Sequence, residues 1–504
     1  MIGAALQKAD SLAEQLQSLT EGAAYLWPEI TLIAGLLLVL LFDLLFHNKK
    51  ELGLAAISIS VLAFLLVAQC IFFVPNLEAK DLFTALVTVS SGAALFKMGF
   101  TLAALVALVM AVQSKKYFNE YFTSSEWLIC LFGLLLGVFL MTASSNLLMI
   151  YISVEVVSIS SYLLTGLGKG LKKSEAALKY LLYGAAASAV MLYGMSWLYG
   201  LTGSLDISTD TFIVGMAAAQ PLTLNIAIFM VLAGILFKLG AFPLHIWSPD
   251  VYEATPMPTV TVFSIVPKLA AVFVLFRLTA STQDTEFDWT LWLGILAIGG
   301  MTIGNFSALW QRNAKRMLAY SSIAHAAFML SGILLLNRTG IEATVFYGFI
   351  YLLMNLGVFY LIQVFENKIG NVEYESFQGL GKKMPVISVL LLVVMIALTG
   401  LPPTAGFNAK LYLFSAVYEQ YNLSGENILL WVFIIGLLNT VVSLFYYIQI
   451  PYLLFFKTET QNIEPQTGFK WHMVLGTLLV LPLFLLFFRS DWFVDLLNSI
   501  NFVF

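Results

Sequence analysis

Residues 234–247 read GILFKLGAFPLHIW. This apolar run carries one ammonium, Lys238, and within five residues meets Gly240 and Pro243, the two residue types that stop or break a helix. A charge in hydrocarbon costs at least about 2.5 kcal/mol on insertion scales, so a lysine so placed reads as functional and faces a bundle interior or water. That holds if the run lies in a membrane, and the rest of the chain supplies the context.

Over 504 residues the chain is 60% hydrophobic and 11% charged, with a mean hydropathy of +0.90, outside the range of soluble globular domains. A helix needs about 20 apolar residues to cross roughly 30 Å of hydrocarbon. By that measure the sequence holds fourteen candidate spans, at 28–46, 53–74, 92–112, 126–142, 147–167, 176–200, 223–244, 257–279, 289–310, 316–336, 342–365, 385–418, 428–456 and 471–488. The twelfth is too long for one straight helix and contains Gly400, Leu401, Pro402 and Pro403, so it reads as interrupted. The expected fold is an all-α polytopic membrane protein of about fourteen transmembrane helices, two of them broken.

Residues 1–27 lack the basic start and short apolar core of a signal peptide and read as a polar or interfacial lead-in. A net charge of -4 and a pI of about 5.7, with no dense basic tract, argue against a nucleic-acid partner. Cys70 and Cys130 lie in apolar spans without the spacing of metal ligands. There is no GxGxxG after a strand and no Walker A run, so neither a nucleotide nor an iron-sulfur centre is expected in this chain.

The basic residues sort by loop. Lys49, Lys50, Lys115, Lys116, Lys169, Lys172, Lys173, Arg312, Lys315, Arg316, Lys368, Lys382, Lys383, Lys457 and Lys470 fall on one side, and only Lys8, Lys80, Arg338 and Arg489 on the other. The positive-inside rule makes the first side cytoplasmic, and an even number of spans then puts both termini outside.

Six basic residues remain within spans: Lys97, Lys179, Lys238, Lys268, Arg277 and Lys410. Lys97 and Arg277 lie near span ends and are expected to snorkel to the interface, and Lys179, one turn into its span, can do the same. Lys238, Lys268 and Lys410 have no such outlet. Glu155 is the carboxylate that lies well inside a span, while Glu29 and Asp43 are near the ends of the first. A buried ammonium is destabilised by desolvation and restored by a neighbouring carboxylate, so a lysine balanced between the two can take up and release a proton. A static ion pair that fixes helix packing is the competing reading.

Pro243 cannot donate to the carbonyl of Leu239, and Pro402 and Pro403 are expected to free those of Leu398 and Thr399. Freed backbone groups at membrane depth are tolerated only against protein or water, so both breaks mark places where polar groups enter. His245, just past Pro243, and His325, mid-span in AYSSIAHAAFML, add groups that ordinarily titrate near neutrality. A lone intramembrane histidine is often a hydrogen-bonding core residue. With Ser321 and Ser322 one turn away, His325 becomes a candidate relay member.

The seventh and twelfth spans each place a helix break beside a buried lysine, Lys238 and Lys410. An odd number of spans per repeat inverts the second copy in the membrane, as in transporters built for alternating access. The expected organisation is 1–125 for the lead-in and first three helices, 126–280 and 281–456 for two inverted five-helix repeats, and 457–504 for the last helix and tail.

Four stretches carry a further signal: SEAALKYLLYGAAASAVMLYGMSWLYG (174–200), GILFKLGAFPLHIWSPDVYEATPMPTVTVFSIVPKLAA (234–271), KRMLAYSSIAHAAFML (315–330) and LTGLPPTAGFNAKLYLF (398–414). They resemble the antiporter-like subunit N family of proton-pumping respiratory complex I, the NADH-quinone oxidoreductase. The resemblance covers nearly the whole chain. It implies fourteen helices in two inverted repeats forming one proton-translocating unit of the membrane arm, in a bacterial cytoplasmic (inner) membrane. It further implies Glu155 as partner of Lys238, Lys268 as central relay, Lys410 on the route to the outer face, and Lys179 and His245 as auxiliary groups. NADH, flavin, iron-sulfur clusters and quinone are then expected in other subunits. The implied partners are the other membrane-arm subunits, among them antiporter-like subunit M and the small membrane subunits. SPDVYEATPMPT departs from the YEGAPTP-like run usual in the family, whereas PLHIWSPDVYE looks like N rather than the PLHTWLPDAH-like text of L and M. A stand-alone or multi-subunit cation/proton antiporter is the alternative.

Overall fold

The computed structural model of the chain describes residues 20, 22–46, 50–83, 85–114, 124–168, 170–458 and 471–502. Most of the predicted lead-in, and the loop residues Lys8, Lys49, Lys115, Lys116, Lys169 and Lys470, lie outside them.

Every predicted span is occupied by helix. In the first part of the chain these are α1 (Trp27–Leu45), α2 (Lys50–Ile71) and α3 (Ser91–Gln113). Then come α4 (Ser124–Ala143), α5 (Leu147–Gly166), α6 (Leu171–Thr202), the short α7 (Asp210–Ala217), α8 (Pro221–Leu239), the short α9 (Trp247–Ala254) and α10 (Met257–Thr282). The remainder folds as α11 (Trp289–Leu309), α12 (Ala314–Ile333), α13 (Arg338–Ile369), α14 (Pro385–Thr399), α15 (Ala405–Ser424), α16 (Asn427–Phe456), α17 (Trp471–Phe488) and α18 (Asp491–Ser499).

Among the described residues, twelve helices are long and apolar enough to cross a membrane. The predicted spans at 316–336 and 385–418 are not among these twelve. The first is α12, which opens on Lys315 and Arg316 and carries Ser321, Ser322 and His325. The second is divided between α14, only 15 residues long, and α15. The all-α expectation is modified by one antiparallel hairpin, β1 (Lys80–Leu82) with β2 (Val87–Val89).

The core lies around α10, whose most apolar stretch is wholly buried, and α13 beside it. α10 packs against α3, α4, α8 and α13. Periphery and core differ as a bilayer demands: Leu44, Leu171 and Phe456 are at least 78% exposed on the outside of the bundle, where lipid rather than water covers apolar side chains. Side-chain caps fix several helix starts. Asn313 accepts from the amides of Lys315 and Arg316, and Asn337 from that of Gly340.

Both predicted breaks are present, but glycine ends the helices, not proline. Gly240 has φ +61° and Gly400 φ +85°, the left-handed conformation that glycine adopts without a side-chain clash. At the first break the Gly240 amide donates to Phe237 O at 3.1 Å and the Ala241 amide to Leu236 O at 3.0 Å. At the second the Gly400 amide donates to Ile396 O and Ala397 O, and the Leu401 amide to Ile396 O at 3.2 Å. This is the same Schellman cap twice. The prolines follow it and keep the helix from resuming at once.

Candidate functional site

Lys238 is in the last turn of α8, before the first break, whereas Lys410 is on α15, after the second. The two lysines are therefore not equivalent in their helices, contrary to a simple correspondence of break and lysine. At the first break a second ammonium is present. Lys268, fully buried on α10, brings its Nζ so close to Gly240 that a Cβ there would lie 3.1 Å from it. Lys268 Nζ donates to Ser322 O at 3.3 Å. At the second break Lys410 Nζ donates to Thr399 O at 2.7 Å, so the carbonyl that the break frees is satisfied by the lysine itself.

Between the breaks lies a hydroxyl and imidazole network. His325 Nδ1 is 2.7 Å from the Tyr347 hydroxyl and Nε2 3.0 Å from that of Tyr447, and its ring stacks on Tyr351 with centroids 4.2 Å apart. The Tyr447 hydroxyl also bonds Ser321 Oγ. Lys410 Nζ sits 5.0 Å from the centroid of Phe328, one turn after His325 on α12. Lys268 reaches the main-chain carbonyl of Ser322, whose own hydroxyl donates to Ala319 O, and the hydrogen-bonded side chains Ser321, Tyr447 and His325 lie on and beside the same helix, α12, on the way to Lys410. Tyr347, Tyr351 and Tyr447 were not candidates from sequence; tyrosines inside apolar spans, as in VSLFYYIQI, were the available signal.

Glu155 and Lys238 do not touch. Lys238 is buried and Glu155 half-buried, and among the described residues Glu155 Oε1 and Lys238 Nζ have no hydrogen-bond partner. Lys238 Nζ stands instead 5.6 Å from the ring centroid of Tyr162, two turns along α5 from Glu155, or about 10 Å of helix. His245 lies in the break segment with Nδ1 buried and unpartnered.

Lys179 is placed away from these groups. It bonds Asp250 at 3.0 Å and Glu175 at 2.8 Å, and Arg316 bonds Asp250 and Glu253, each at 2.9 Å. This ion-paired cluster borders a cavity of about 400 Å³ lined also by Lys172, Lys315 and Glu366. Burial alone would raise the Asp250 carboxyl, but the Lys179 ammonium and Arg316 guanidinium hold it below its ordinary value.

The snorkelling expected of Lys97 and Arg277 does not occur. Lys97 is 6% exposed and paired with Glu29 at 2.5 Å, joining α3 to α1. Arg277 is 2% exposed, its guanidinium 5.3 Å from the Phe273 ring centroid and without a hydrogen-bond partner among the described residues. Both residues are on helices that pack inside the bundle, so the route to the interface is closed by neighbours that hydropathy along one helix does not reveal.

A helical bundle with two glycine-capped breaks, each against a buried lysine, defines the class of antiporter-like membrane subunits. The family model described as NADH:quinone oxidoreductase/Mrp antiporter, transmembrane, matches residues 144–442. NADH-quinone oxidoreductase subunit N of Chlorobium chlorochromatii is 35% identical over 486 residues, covering 93% of each chain. A chain of respiratory complex I from Thermus thermophilus superposes with a TM-score of 0.77 at 26% identity, over 94% of this chain and 100% of that one. A chain of the Mrp complex from a Dietzia species reaches 0.79 at 18% identity, over 95% and 96% of the two chains, a likeness of fold alone. The chain belongs to the NADH:quinone oxidoreductase/Mrp antiporter family and, within it, to subunit N of NADH-quinone oxidoreductase.

Proposed function

We propose that this chain is a proton-translocating membrane-arm subunit of NADH-quinone oxidoreductase and that its protons pass through the buried groups at the two breaks. The observation that carries the reading is the placement of buried polar groups from one break to the other: Lys268 beside Gly240 with its Nζ on the Ser322 carbonyl, the hydrogen-bonded Ser321, Tyr447 and His325 on and beside α12, and Lys410 on the carbonyl at Thr399. Glu155 and Lys238 stand at its cytoplasmic end as a pair that opens and closes, with His245 between them and Lys268. The ion-paired cavity that holds Lys179 is the mouth. Lys410 delivers to the outer side.

In this reading the chain crosses a bacterial cytoplasmic membrane fourteen times, with both termini outside and inverted repeats at 126–280 and 281–456. NADH, flavin, iron-sulfur clusters and quinone belong to other subunits, and antiporter-like subunit M and the small membrane subunits are neighbours. Moving one charge against 100 mV needs about 2.3 kcal/mol, which quinone reduction elsewhere in the complex supplies. The stand-alone or multi-subunit antiporter reading shares the family model, which spans both groups, but its solved counterpart is only 18% identical, against 35% for the subunit N relative.

Glu155→Gln and Lys238→Ala each depress vesicle acidification and quinone-linked oxidation together, by about tenfold or more, because a step of a coupled cycle is removed. Glu155→Asp, which keeps the charge on a shorter arm, costs less. Normal oxidation and acidification by fully assembled Lys238→Ala complex, checked on a native gel, overturns the reading.

A further inference from the structure

The Lys238 ammonium is buried, without a hydrogen-bond acceptor and without a salt bridge among the described residues. Its surroundings are three aromatic faces, with ring centroids 5.6 Å away for Tyr162, 6.0 Å for Tyr180 and 5.9 Å for Phe237. The rings are fixed. Tyr162 meets Tyr180 edge to face at 4.8 Å, and Tyr180 stacks on Trp247 at 4.2 Å with planes 12° apart. The Trp247 indole N–H donates to Phe237 O at 3.1 Å, which ties the cage to the helix end that precedes Gly240. On the far side, Gly184 of α6 leaves room for Tyr162: a Cβ there would overlap the tyrosine hydroxyl.

We infer that Tyr162, Tyr180 and Phe237 form an aromatic cage that positions Lys238 and holds it as a cation while Glu155 is unpaired. The ring quadrupole attracts an ammonium and gives nothing comparable to a neutral amine, so the cage favours one protonation state without a carboxylate. Lys238 then has two resting places, the cage and Glu155. Glu155 and Tyr162 share a face of α5 at i and i+7, so the four-carbon stem of one lysine passes between them along that face. When Lys238 has quit both the rings and Glu155, its ammonium proton passes to the next group of the proposed route, the neutral His245 imidazole, and the cage accepts the lysine back only once it is recharged. Tyr162, Tyr180 and Phe237 are positioning residues in this scheme. Their hydroxyls, where present, relay no proton.

The inference rests on the proposed proton route, and the test separates the two. In assembled complex, Tyr162→Leu and Tyr180→Leu remove a π face and depress vesicle acidification and quinone-linked oxidation together by about three- to tenfold, whereas Tyr162→Phe and Tyr180→Phe, which keep the face, stay within about twofold of wild type. Equal loss in the Leu and Phe variants overturns the cage, because the hydroxyl or mere packing is then what matters. Normal pumping by the Leu variants also overturns it. Should a Leu variant fail to assemble, Gly184→Ala decides: it displaces the Tyr162 ring without deleting it, and unchanged rates of acidification and oxidation count against the cage. Lys238→Ala is measured alongside. Lost pumping there with normal Leu variants leaves the route standing and removes the cage, while normal pumping in Lys238→Ala removes both.

Discussion

The two helix breaks use the same cap and opposite chemistry. At the first, Lys238 precedes Gly240, faces three aromatic rings and makes no hydrogen bond among the described residues. At the second, Lys410 follows Gly400 and donates to the Thr399 carbonyl that the break exposes. An ammonium bonded to backbone is held in one place by a directional, charge-assisted interaction. One held by π faces is attracted over a broad surface with no single fixed geometry, so it shifts and leaves without breaking a directional bond. The first break is thus built for a lysine that moves, and the second for one that stays.

That contrast is broken most directly by removing each cation. Lys410→Met leaves Thr399 O buried without a donor, and the loss of a hydrogen bond from a charged group costs about 1.5–3 kcal/mol. Lys238→Met removes a buried charge that has no ion-pair partner among the described residues and replaces it with an apolar side chain of similar length, which relieves the cost of desolvating the ammonium. Thermal unfolding of the purified complex, followed at this subunit, is therefore expected to come several degrees earlier for Lys410→Met and unchanged or later for Lys238→Met, while both lose pumping. A larger drop for Lys238→Met reverses the assignment of mobile and fixed sites.

The glycines sharpen the same comparison at a smaller scale. Alanine in the left-handed conformation costs about 1–2 kcal/mol at either break. At Gly400 the new Cβ would also lie 2.6 Å from Lys410 Cδ, whereas at Gly240 it would stand 3.1 Å from Lys268 Nζ, the far end of a flexible chain. Gly400→Ala is expected to lose more stability than Gly240→Ala and to dislodge Lys410 from Thr399. Gly240→Ala displaces Lys268 and slows proton transfer with less unfolding. Equal stability losses with equal pumping would mean that neither lysine depends on its glycine.

Much of this was legible in the sequence. Apolar length located each helix, and the runs FKLGAF and ALTGLPP carried both breaks, because a glycine after an apolar run followed by proline is a helix end by backbone chemistry alone. Depth along a helix was legible too, which singled out Lys238, Lys268, Lys410 and Glu155. Rotation was not. Whether Glu155 reaches Lys238 depends on how α5 and α8 turn toward each other, and a hydropathy count treats Tyr162 and Tyr180 as apolar filler although their faces hold a cation. The Glu29 and Lys97 pair is hidden for a related reason: each residue sits near its own span end, and only the packing of α1 and α3 in one bundle brings the two opposite charges together. His325 gained its partners from Tyr347 on α13 and Tyr447 on α16, contacts between helices far apart in the chain.

The smallest expected effect lies in how the helix after each break is braced. α9, which follows the first break, is tied by ion pairs from Asp250 to Lys179 of α6 and Arg316 of α12. α15, which follows the second, is tied by a neutral bond, Asn408 Nδ2 donating to Phe487 O at 2.8 Å. Partly exposed ion pairs are worth about 0.2–1 kcal/mol each and weaken with salt, whereas an amide bond to a buried carbonyl is nearly indifferent to it. Although burial opposes it, the two cations hold the Asp250 carboxyl below its unfolded value, so its stabilising contribution is fully present above the unfolded value near 4 and disappears as pH falls through the lowered folded value. Asp250→Asn should therefore cost about 1 kcal/mol at neutral pH and low salt, less in high salt, and nothing in strong acid. Asn408→Ala should cost a similar amount that neither salt nor acid changes. Hydrogen exchange of the amides of α9 and α15 across pH and ionic strength reads both. If exchange in α9 is as insensitive to salt and acid as exchange in α15, the ion pairs do not brace the first break, and the mobility of Lys238 must be set by the break segment itself.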